Sequence, residues 1–514
     1  MGLIKKFVTV SGLTVVSRML GIVREALMAY FLGASTEMDA FTTAFKFPSF
    51  FRKFFAEGGF QSIFVPYYTD YLISSKHKGA RYFSSRIFTM IFYIMLVISI
   101  IVFMYAKEFT IMMAPGFVSN PEKLELATEY TRIIFPSVAF ISLSTVYSGI
   151  LISRQKFFVF SLAPIFINMI LIASLFLYQD TVKAGTRLSY GTLAAGIFQF
   201  VYMLASVKFL NYPSPRFDTI RRTPRIKTFL KKMLPVLAGS GIAQINVFIG
   251  TFFASFLPTG CITYLHCSDR FFQFPLAIFG ITIGTILLPE IAEKIAMRQK
   301  QEIADIQRNS ILFTLRLTMP SVIALFVLSY SLISILYGHG KFDENAILNT
   351  TNVLKIMTFG LPAMILSKVI SSILFAQKNT VAPVSSAVVS IIVNVIVSAI
   401  LIKPCGILGI AIASAIAGYV NFYVLYRKSE IHLFRDKIAV NSIYKIIIAT
   451  IVFGIFVSLL QSQMQYNSSR VHNLLYSGYI ISIGTVVYII ALYFLKDSEA
   501  LKLVSKIKQR FMKT

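Results

Sequence analysis

The chain has 514 residues, of which 56% are apolar and only 14% are charged, whereas a soluble protein would carry roughly a quarter charged residues. These proportions exclude an ordinary soluble domain and indicate a protein that crosses a membrane many times. The formal net charge of +27 does not indicate nucleic-acid binding. The basic residues lie in loops between apolar stretches, not in one stripe interleaved with exposed aromatic side chains.

Apolar stretches long enough to cross a bilayer recur along the whole chain. A span needs about 20 mainly apolar residues, and this length predicts fourteen transmembrane helices. They are 8–32, 36–72 with a break, 87–106, 127–151, 158–178, 187–208, 229–256, 262–289, 309–337, 349–375, 380–402, 407–426, 440–461 and 474–495. The first stretch imitates a secretory signal, but Arg18, Arg24 and Glu25 without an A-x-A cleavage site predict a retained helix.

Lysine and arginine residues are concentrated in alternate loops of this arrangement. The N-terminus, the loops near 76–86, 154–156, 208–232 and 294–308, and the segment after Leu495 are basic, whereas the intervening loops hold few cations. Because basic loops stay on the cytoplasmic side of a membrane, both termini are predicted to be cytoplasmic.

The two halves of the chain resemble each other in order and spacing. Pro136 aligns with Pro362, Asn168 aligns with Asn394, and ILISRQK at 150–156 matches ILFAQK at 373–378. A duplicated unit of six helices makes the repeats parallel. We therefore predict an all-α polytopic membrane protein, with a six-helix lobe at 1–210 and a second at 211–430. A two-helix hairpin with a basic tail follows at 431–514. Two such lobes suggest alternating access about a site between them.

Ionisable side chains inside the predicted spans mark a candidate site. They are Arg18, Arg24, Glu25, Asp39, Lys46, Arg52, Lys53 and Glu57 in the first two segments, and Asp269, Arg270, Arg316, Lys355 and Lys368 in the second half. A mid-helix arginine costs roughly 3 kcal/mol on insertion scales, so each should face a water-filled cavity or a partner. The first two segments hold more cations than anions, and the planar fork of arginine suits phosphate oxygens.

Pairing between neighbouring acids and bases is the alternative role for some of these residues. Lys53 and Glu57 are four residues apart and can pair on one helix face. Asp269 can either orient or neutralise Arg270. Both roles stay open at the level of the sequence.

Helix geometry separates the arginines of the first span. Ser17 and Arg24 share a face, whereas Arg18 diverges from Arg24 by about 120° at 100° per residue. One arginine is therefore expected to face a cavity and the other a neighbouring helix, and the sequence does not decide which. In the next segment, Pro48 and the glycine pair at 58–59 predict a break beside the charged residues.

Motifs for metal, nucleotide or hydrolytic chemistry are missing from the sequence. The three cysteines, Cys261, Cys267 and Cys405, form no CxxC pair, and we predict that they are structural. No Walker A loop, HExxH motif or serine triad is present. We therefore predict no enzyme activity, no metal and no cofactor. The small residues at 406–418 predict only close helix packing.

The embedded charged residues also carry a resemblance to a known family. The sequence is similar to the MurJ (MviN) lipid II flippases through an ordered set of motifs. They are SRMLGIVRE at 17–25, DAF at 39–41, PSFFR at 48–52, AEG at 56–58, FVP at 64–66, QIN at 244–246, ASFLP at 254–258, SDR at 268–270, QFPL at 273–276 and GTILLP at 284–289.

The resemblance implies the MOP exporter fold in a bacterial inner membrane and a role in peptidoglycan synthesis. The implied activity moves the undecaprenyl-pyrophosphate-linked disaccharide-pentapeptide, lipid II, from the cytoplasmic to the periplasmic leaflet. It implies that the arginines act in a central cavity and that the extra hairpin forms a groove for the lipid tail. The predicted substrate-binding set is Arg18, Arg24, Arg52, Arg270, Ser17, Asp39, Glu57 and Asp269.

The sequence departs from the family at a reported sodium site. That site uses an acidic residue on helix 7, where this chain offers Gln244 and Asn246, so sodium is not expected.

The expected partners are lipid II, the surrounding membrane lipids, and proteins of cell-wall synthesis and division. Three alternatives remain at this level: a flippase for another lipid-linked glycan, a MATE-like drug antiporter, or a non-transporting scaffold for cell-wall enzymes. An antiporter for cationic drugs needs an acidic cavity, which the surplus of arginine opposes.

Overall fold

A computed structural model describes residues 3–55, 59–177, 181–219, 224–429, 436–463, 470–497 and 500–501 of the chain. Within these residues every regular element is a helix. The α-helices are α1 (Leu3–Leu32), α2 (Thr36–Phe55), α3 (Gly59–Met104), α4 (Ala106–Met113), α5 (Pro121–Ile134), α6 (Pro136–Ser153), α7 (Phe157–Phe176), α8 (Ala184–Phe209), α9 (Pro224–Ala254), α10 (Cys261–Pro275), α11 (Thr282–Ala296), α12 (Lys300–Val327), α13 (Ser329–Tyr337), α14 (Glu344–Ala376), α15 (Val381–Lys428), α16 (Lys437–Ser462) and α17 (Arg470–Phe494). A 3-10 turn lies at Pro115–Ser119 and a π-helical segment at Leu276–Ile281.

Ten helical stretches in the described part of the chain are long and apolar enough to cross a membrane. A helix satisfies its own backbone N–H and C=O groups, which have no water to bind inside a bilayer. This confirms the predicted all-α polytopic membrane fold. The count of fourteen spans stays a prediction.

The predicted basic loop at 73–86 lies inside the single helical element α3, Gly59–Met104. The ring centroids of Phe64 and Phe83 nevertheless lie only 5.5 Å apart, and those of Tyr71 and Phe83 lie 5.0 Å apart. A straight α-helix rises 1.5 Å per residue, which would separate Phe64 from Phe83 by about 28 Å along the axis. The chain therefore reverses direction between Tyr71 and Phe83, within or next to the predicted loop, and the two helical arms of α3 pack against each other.

The two predicted spans at 380–402 and 407–426 meet at Gly406. Helix α15 covers both, and its backbone is non-helical at Gly406, with φ 54° and ψ −131°. A positive φ favours glycine, and a Cβ added at Gly406 would meet nothing within 4 Å. The turn, and not the predicted close packing, therefore explains Gly406. Close packing does explain Gly409, where a Cβ would lie 2.4 Å from the Leu401 carbonyl oxygen.

The chain forms two compact units, and each has its own core. The first unit comprises 1–263 with 339–343, and the second comprises 264–338 with 344–514. The core of the first unit is rich in aromatic rings. Phe64, Phe83 and Phe229 are fully buried, with ring centroids 5.5 Å apart for Phe64 and Phe83 and 5.4 Å apart for Phe83 and Phe229. These contacts join the two arms of α3, on either side of its reversal, to α9.

In the second unit a buried ion pair ties the end of the C-terminal hairpin to α12. The Arg316 guanidinium donates from Nε and Nη2 to the two oxygens of Asp497, at 3.0 and 2.8 Å. The side chains are 8% and 0% exposed. The Tyr488 hydroxyl donates to the Arg316 carbonyl at 3.0 Å. The embedded charge at Arg316 is thus satisfied within the protein.

Candidate functional site

Arg24 is held between an acid on its own helix and an amide on α7. Its guanidinium contacts Glu25 at 2.5 Å and donates to Asn168 Oδ1 at 3.0 Å. The Asn168 amide donates in turn to the carbonyls of Ser17 and Pro164, at 3.1 and 3.0 Å. The face of α1 that holds Ser17 and Arg24 therefore packs against α7.

Arg18 lies on a different face of α1. Its side chain is exposed. Four apolar neighbours on α1 are also 46–62% exposed: Val15, Val16, Met19 and Ile22. An arginine at membrane depth needs water, an anion or a polar partner. Of the two arginines, Arg24 therefore contacts the neighbouring helix, whereas Arg18 lies on an exposed face of α1.

Of the predicted break in segment 36–72, the part at Pro48 is helical, whereas residues 56–58 lie outside the described residues. Helix α2 continues through Pro48 and ends at Phe55, and α3 begins at Gly59. Arg52 is half-buried in the last turn of α2. Glu57 and the side chain of Lys53 lie outside the described residues, so the predicted pairing between them stays a prediction.

Asp39 occupies a buried structural position in the first unit. Its Oδ2 atom accepts from Lys123 Nζ and from the Gly260 backbone N–H, both at 2.8 Å. Its Oδ1 atom accepts from the Thr263 N–H at 3.0 Å and from the Thr263 hydroxyl at 2.7 Å. The carboxylate thus caps the first turn of α10 and neutralises a buried lysine. These four bonds favour a structural role for Asp39 over direct contact with substrate.

Asp269 and Arg270 belong to the second unit, on α10. The Asp269 carboxylate accepts a hydrogen bond from the Gln273 amide one turn later, and Arg270 is exposed. Pro275 and the π-helical segment Leu276–Ile281 follow directly. Short π-helical segments are frequent at functional sites. The predicted site residues are divided between the two units. The first unit holds Arg18, Arg24, Arg52, Ser17 and Asp39, and the second holds Asp269 and Arg270.

Two polar residues that matter in the structure were not among the predicted site residues. Asn168 was noted only as a repeat match, although an amide inside the apolar stretch 158–178 is itself a signal of a polar contact. Lys123 falls between the predicted spans 87–106 and 127–151, but it lies in α5 and is only 4% exposed. Asn120 caps that helix by accepting from the Lys123 N–H at 3.1 Å.

An apolar groove lies on the second unit beside the hairpin. It has a volume of about 590 Å³ and is lined by residues of α12 and α16, among them Ile323, Ile451, Ile455 and Leu459. Its lining carries no charged side chain, so the groove suits a hydrocarbon chain.

Comparison with known proteins agrees with these features. The family model described as lipid II flippase MurJ matches residues 28–477. A probable lipid II flippase MurJ of Rhizobium meliloti (strain 1021) is 37% identical over 432 residues, which cover 83% of this chain and 80% of that protein.

Solved structures also resemble the chain. A lipid II flippase MurJ in an inward closed conformation superimposes with a TM-score of 0.80 at 27% identity, covering 95% of this chain and all of that chain. An inward-facing multidrug resistance MATE transporter of the MOP superfamily gives a TM-score of 0.64 at 14% identity, covering 80% of this chain and 93% of the other. This second likeness shows a shared fold alone. The match to the family model, the related sequence and the common structure together place this chain in the MurJ lipid II flippase family.

Proposed function

We propose that the chain is a lipid II flippase, which moves the undecaprenyl-pyrophosphate-linked disaccharide-pentapeptide from the cytoplasmic to the periplasmic leaflet by alternating access. The observation that carries this proposal is the family match over residues 28–477. The flippase is proposed to reside in the bacterial inner membrane as fourteen spans with both termini in the cytoplasm. Its proposed lobes are 1–210 and 211–430, followed by the hairpin at 431–514.

The proposed site binds pyrophosphate through arginine. Arg18 and Arg270, which are exposed, would supply guanidinium groups to phosphate oxygens, and two parallel N–H bonds per arginine would orient the anion. Arg24 and Arg52 would add positive charge, and Ser17 would add a hydroxyl. Asp39, Glu57 and Asp269 would position the cationic residues and their helices.

The lipid tail would stay outside this polar site. The apolar groove between α12 and α16 supports a path for the tail beside the hairpin, because burial of each CH₂ group contributes about 0.8 kcal/mol. Proteins of cell-wall synthesis and division are proposed as further partners.

The membrane potential would drive the export step. Moving about two negative charges outward gains roughly 4–5 kcal/mol at 100 mV. The same field would draw the empty cationic site back toward the cytoplasm. Flipping by purified protein in vesicles should therefore accelerate when an inside-negative potential is imposed. A rate that ignores the potential would exclude this driving force.

Depletion and rescue in cells test the function itself. Depletion should leave lipid II inaccessible to an enzyme added outside, which cleaves only headgroups that have crossed the membrane. Arg18→Ala and Arg270→Ala should not restore access, whereas Arg132→Ala, which changes an exposed arginine of α5, should restore it.

Each rival function predicts a different result. A scaffold that transports nothing would tolerate both arginine changes, provided the protein is made in normal amounts. A flippase for another glycan would leave lipid II accessible during depletion while a different lipid-linked sugar accumulates inside.

A further inference from the structure

The segment that follows α8 is bound along α3 in the first unit. The Arg216 backbone N–H donates to the Ser85 hydroxyl at 2.9 Å, and the Asp218 N–H donates to the Thr89 hydroxyl at 3.0 Å. The Phe217 ring packs edge-on against two aromatic rings of α3. These contacts give Arg216 a defined position beside the polar turns of α3.

A basic pocket is formed where this segment meets α3. It has a volume of about 320 Å³, and its lining includes His77, Lys78, Arg81, Tyr82 and Arg216. Three of these side chains are permanently cationic at neutral pH. A pocket of this composition selects an anion.

The acid of the pocket is already neutralised. The Asp218 carboxylate lies 3.5 Å from Arg86 Nε, and the Arg86 guanidinium stacks on the Tyr82 ring at 3.7 Å. Lys78, Arg81 and Arg216 are exposed, and none of them forms an ion pair with an acidic residue that the structure describes. The positive charge of these three residues is therefore available to a ligand.

The depth of the pocket identifies the class of ligand. The apolar span predicted at 87–106 begins about two helical turns after Lys78 and Arg81, so these cations lie at the boundary between headgroups and hydrocarbon. Lysine and arginine near a span end extend toward phosphates, and tyrosine is enriched at this depth. Basic pockets at this level are suited to the headgroups of anionic lipids.

We propose that the pocket binds the phosphodiester headgroup of an anionic membrane phospholipid. Lys78, Arg81 and Arg216 would contact the phosphate, and Tyr82 and Phe217 would line the side nearer the acyl chains. Bound lipid would join α3 to the segment at 210–219, independently of the transported substrate. The proposal depends on the membrane-spanning fold and not on the proposed transport activity.

Lipid binding to purified protein tests the proposal. Phosphatidylglycerol and phosphatidylcholine would each be titrated against the full chain in detergent, and bound lipid counted by native mass spectrometry. The double change Arg81→Gln and Arg216→Gln should weaken phosphatidylglycerol binding about tenfold or more, because it removes two charge-assisted contacts. Phosphatidylcholine binding should not change. The matched control changes two exposed lysines of α9, Lys227→Gln and Lys231→Gln, and should stay within about twofold of the unmodified chain.

Further arms distinguish the sources of the phosphate and guard against misfolding. Arg81→Lys with Arg216→Lys keeps both charges and should retain most of the binding. If the α9 control loses as much phosphatidylglycerol binding as the pocket variant, general electrostatic attraction explains the binding and the pocket is not a specific site. Inorganic phosphate that binds as tightly as phosphatidylglycerol would overturn a lipid site. An equal loss of lipid II binding in the glutamine variant would assign the pocket to the transported substrate.

Discussion

Replacing Asp39 by asparagine would keep the size of the side chain and remove its charge. The Oδ1 atom could still accept from the N–H and hydroxyl of Thr263. The other position would become an amide NH₂ group facing two donors, Lys123 Nζ and the Gly260 N–H, which both bind Oδ2 in the native chain. Asparagine would therefore exchange two hydrogen bonds for two donor–donor contacts.

The expected loss of stability is large because the pair is buried. Asp39 is 1% exposed at its side chain and Lys123 is 4% exposed, so the lysine would keep a charge with no counter-charge beside it. Removing one partner of a buried pair costs about 3–5 kcal/mol. The pair of Arg308 and Asp305, whose side chains are 25% and 39% exposed, is the control. Asp305→Asn should cost at most about 1 kcal/mol.

The chain suits a thiol-reactive dye as the reporter of unfolding. It has no tryptophan, but Cys261 and Cys267 are buried while Cys405 is exposed. With Cys405→Ser as background, dye fluorescence should rise only when α10 is exposed. Asp39→Asn should lower the thermal midpoint on the order of 5 °C or more.

A second variant tests the cause of that loss. Lys123→Met removes the orphaned cation, so adding it to Asp39→Asn should recover part of the lost stability. If Asp39→Asn melts no earlier than Asp305→Asn, or if Lys123→Met makes it worse, the ion-pair reasoning is wrong.

Three further changes follow from the same geometry. Arg24→Lys keeps the positive charge but loses the planar guanidinium group. It should therefore fail to restore lipid II export in depleted cells, although its thermal midpoint should not change. Full restoration of export would contradict this prediction. Arg316→Gln and Asp497→Asn should each lower the thermal midpoint, and the double change should cost less than their sum by about 1 kcal/mol or more; additive losses would refute the coupling. Gly33→Ala places a Cβ 2.2 Å from a backbone carbonyl at φ +62° and should reduce stability. Gly12→Ala, where nothing lies within 4 Å of the added Cβ, should not reduce stability in the same dye assay, because alanine favours a helix more than glycine does.

Composition and apolar length determined the class of fold from the sequence. A bilayer leaves the backbone few ways to satisfy its hydrogen bonds, so long apolar stretches specify helices whatever their neighbours. The span predicted at 440–461 therefore lies within α16, and the span predicted at 474–495 ends one residue after α17. The stretch predicted as a loop at 73–86 keeps helical backbone, but α3 reverses direction between Tyr71 and Phe83, because a run of charged residues is costly inside the apolar region of a membrane.

The embedded charges could also be identified from the sequence, because an ionisable group in an apolar span is costly in any fold. Their partners could not. Asp39 pairs with Lys123 across 84 positions, Arg24 with Asn168 across 144, and Arg316 with Asp497 across 181. Local periodicity relates residues only within a few helical turns. The packing of distant helices alone therefore decided that Asp39 and Arg316 form buried ion pairs, that Arg24 contacts α7, and that Arg18 is exposed.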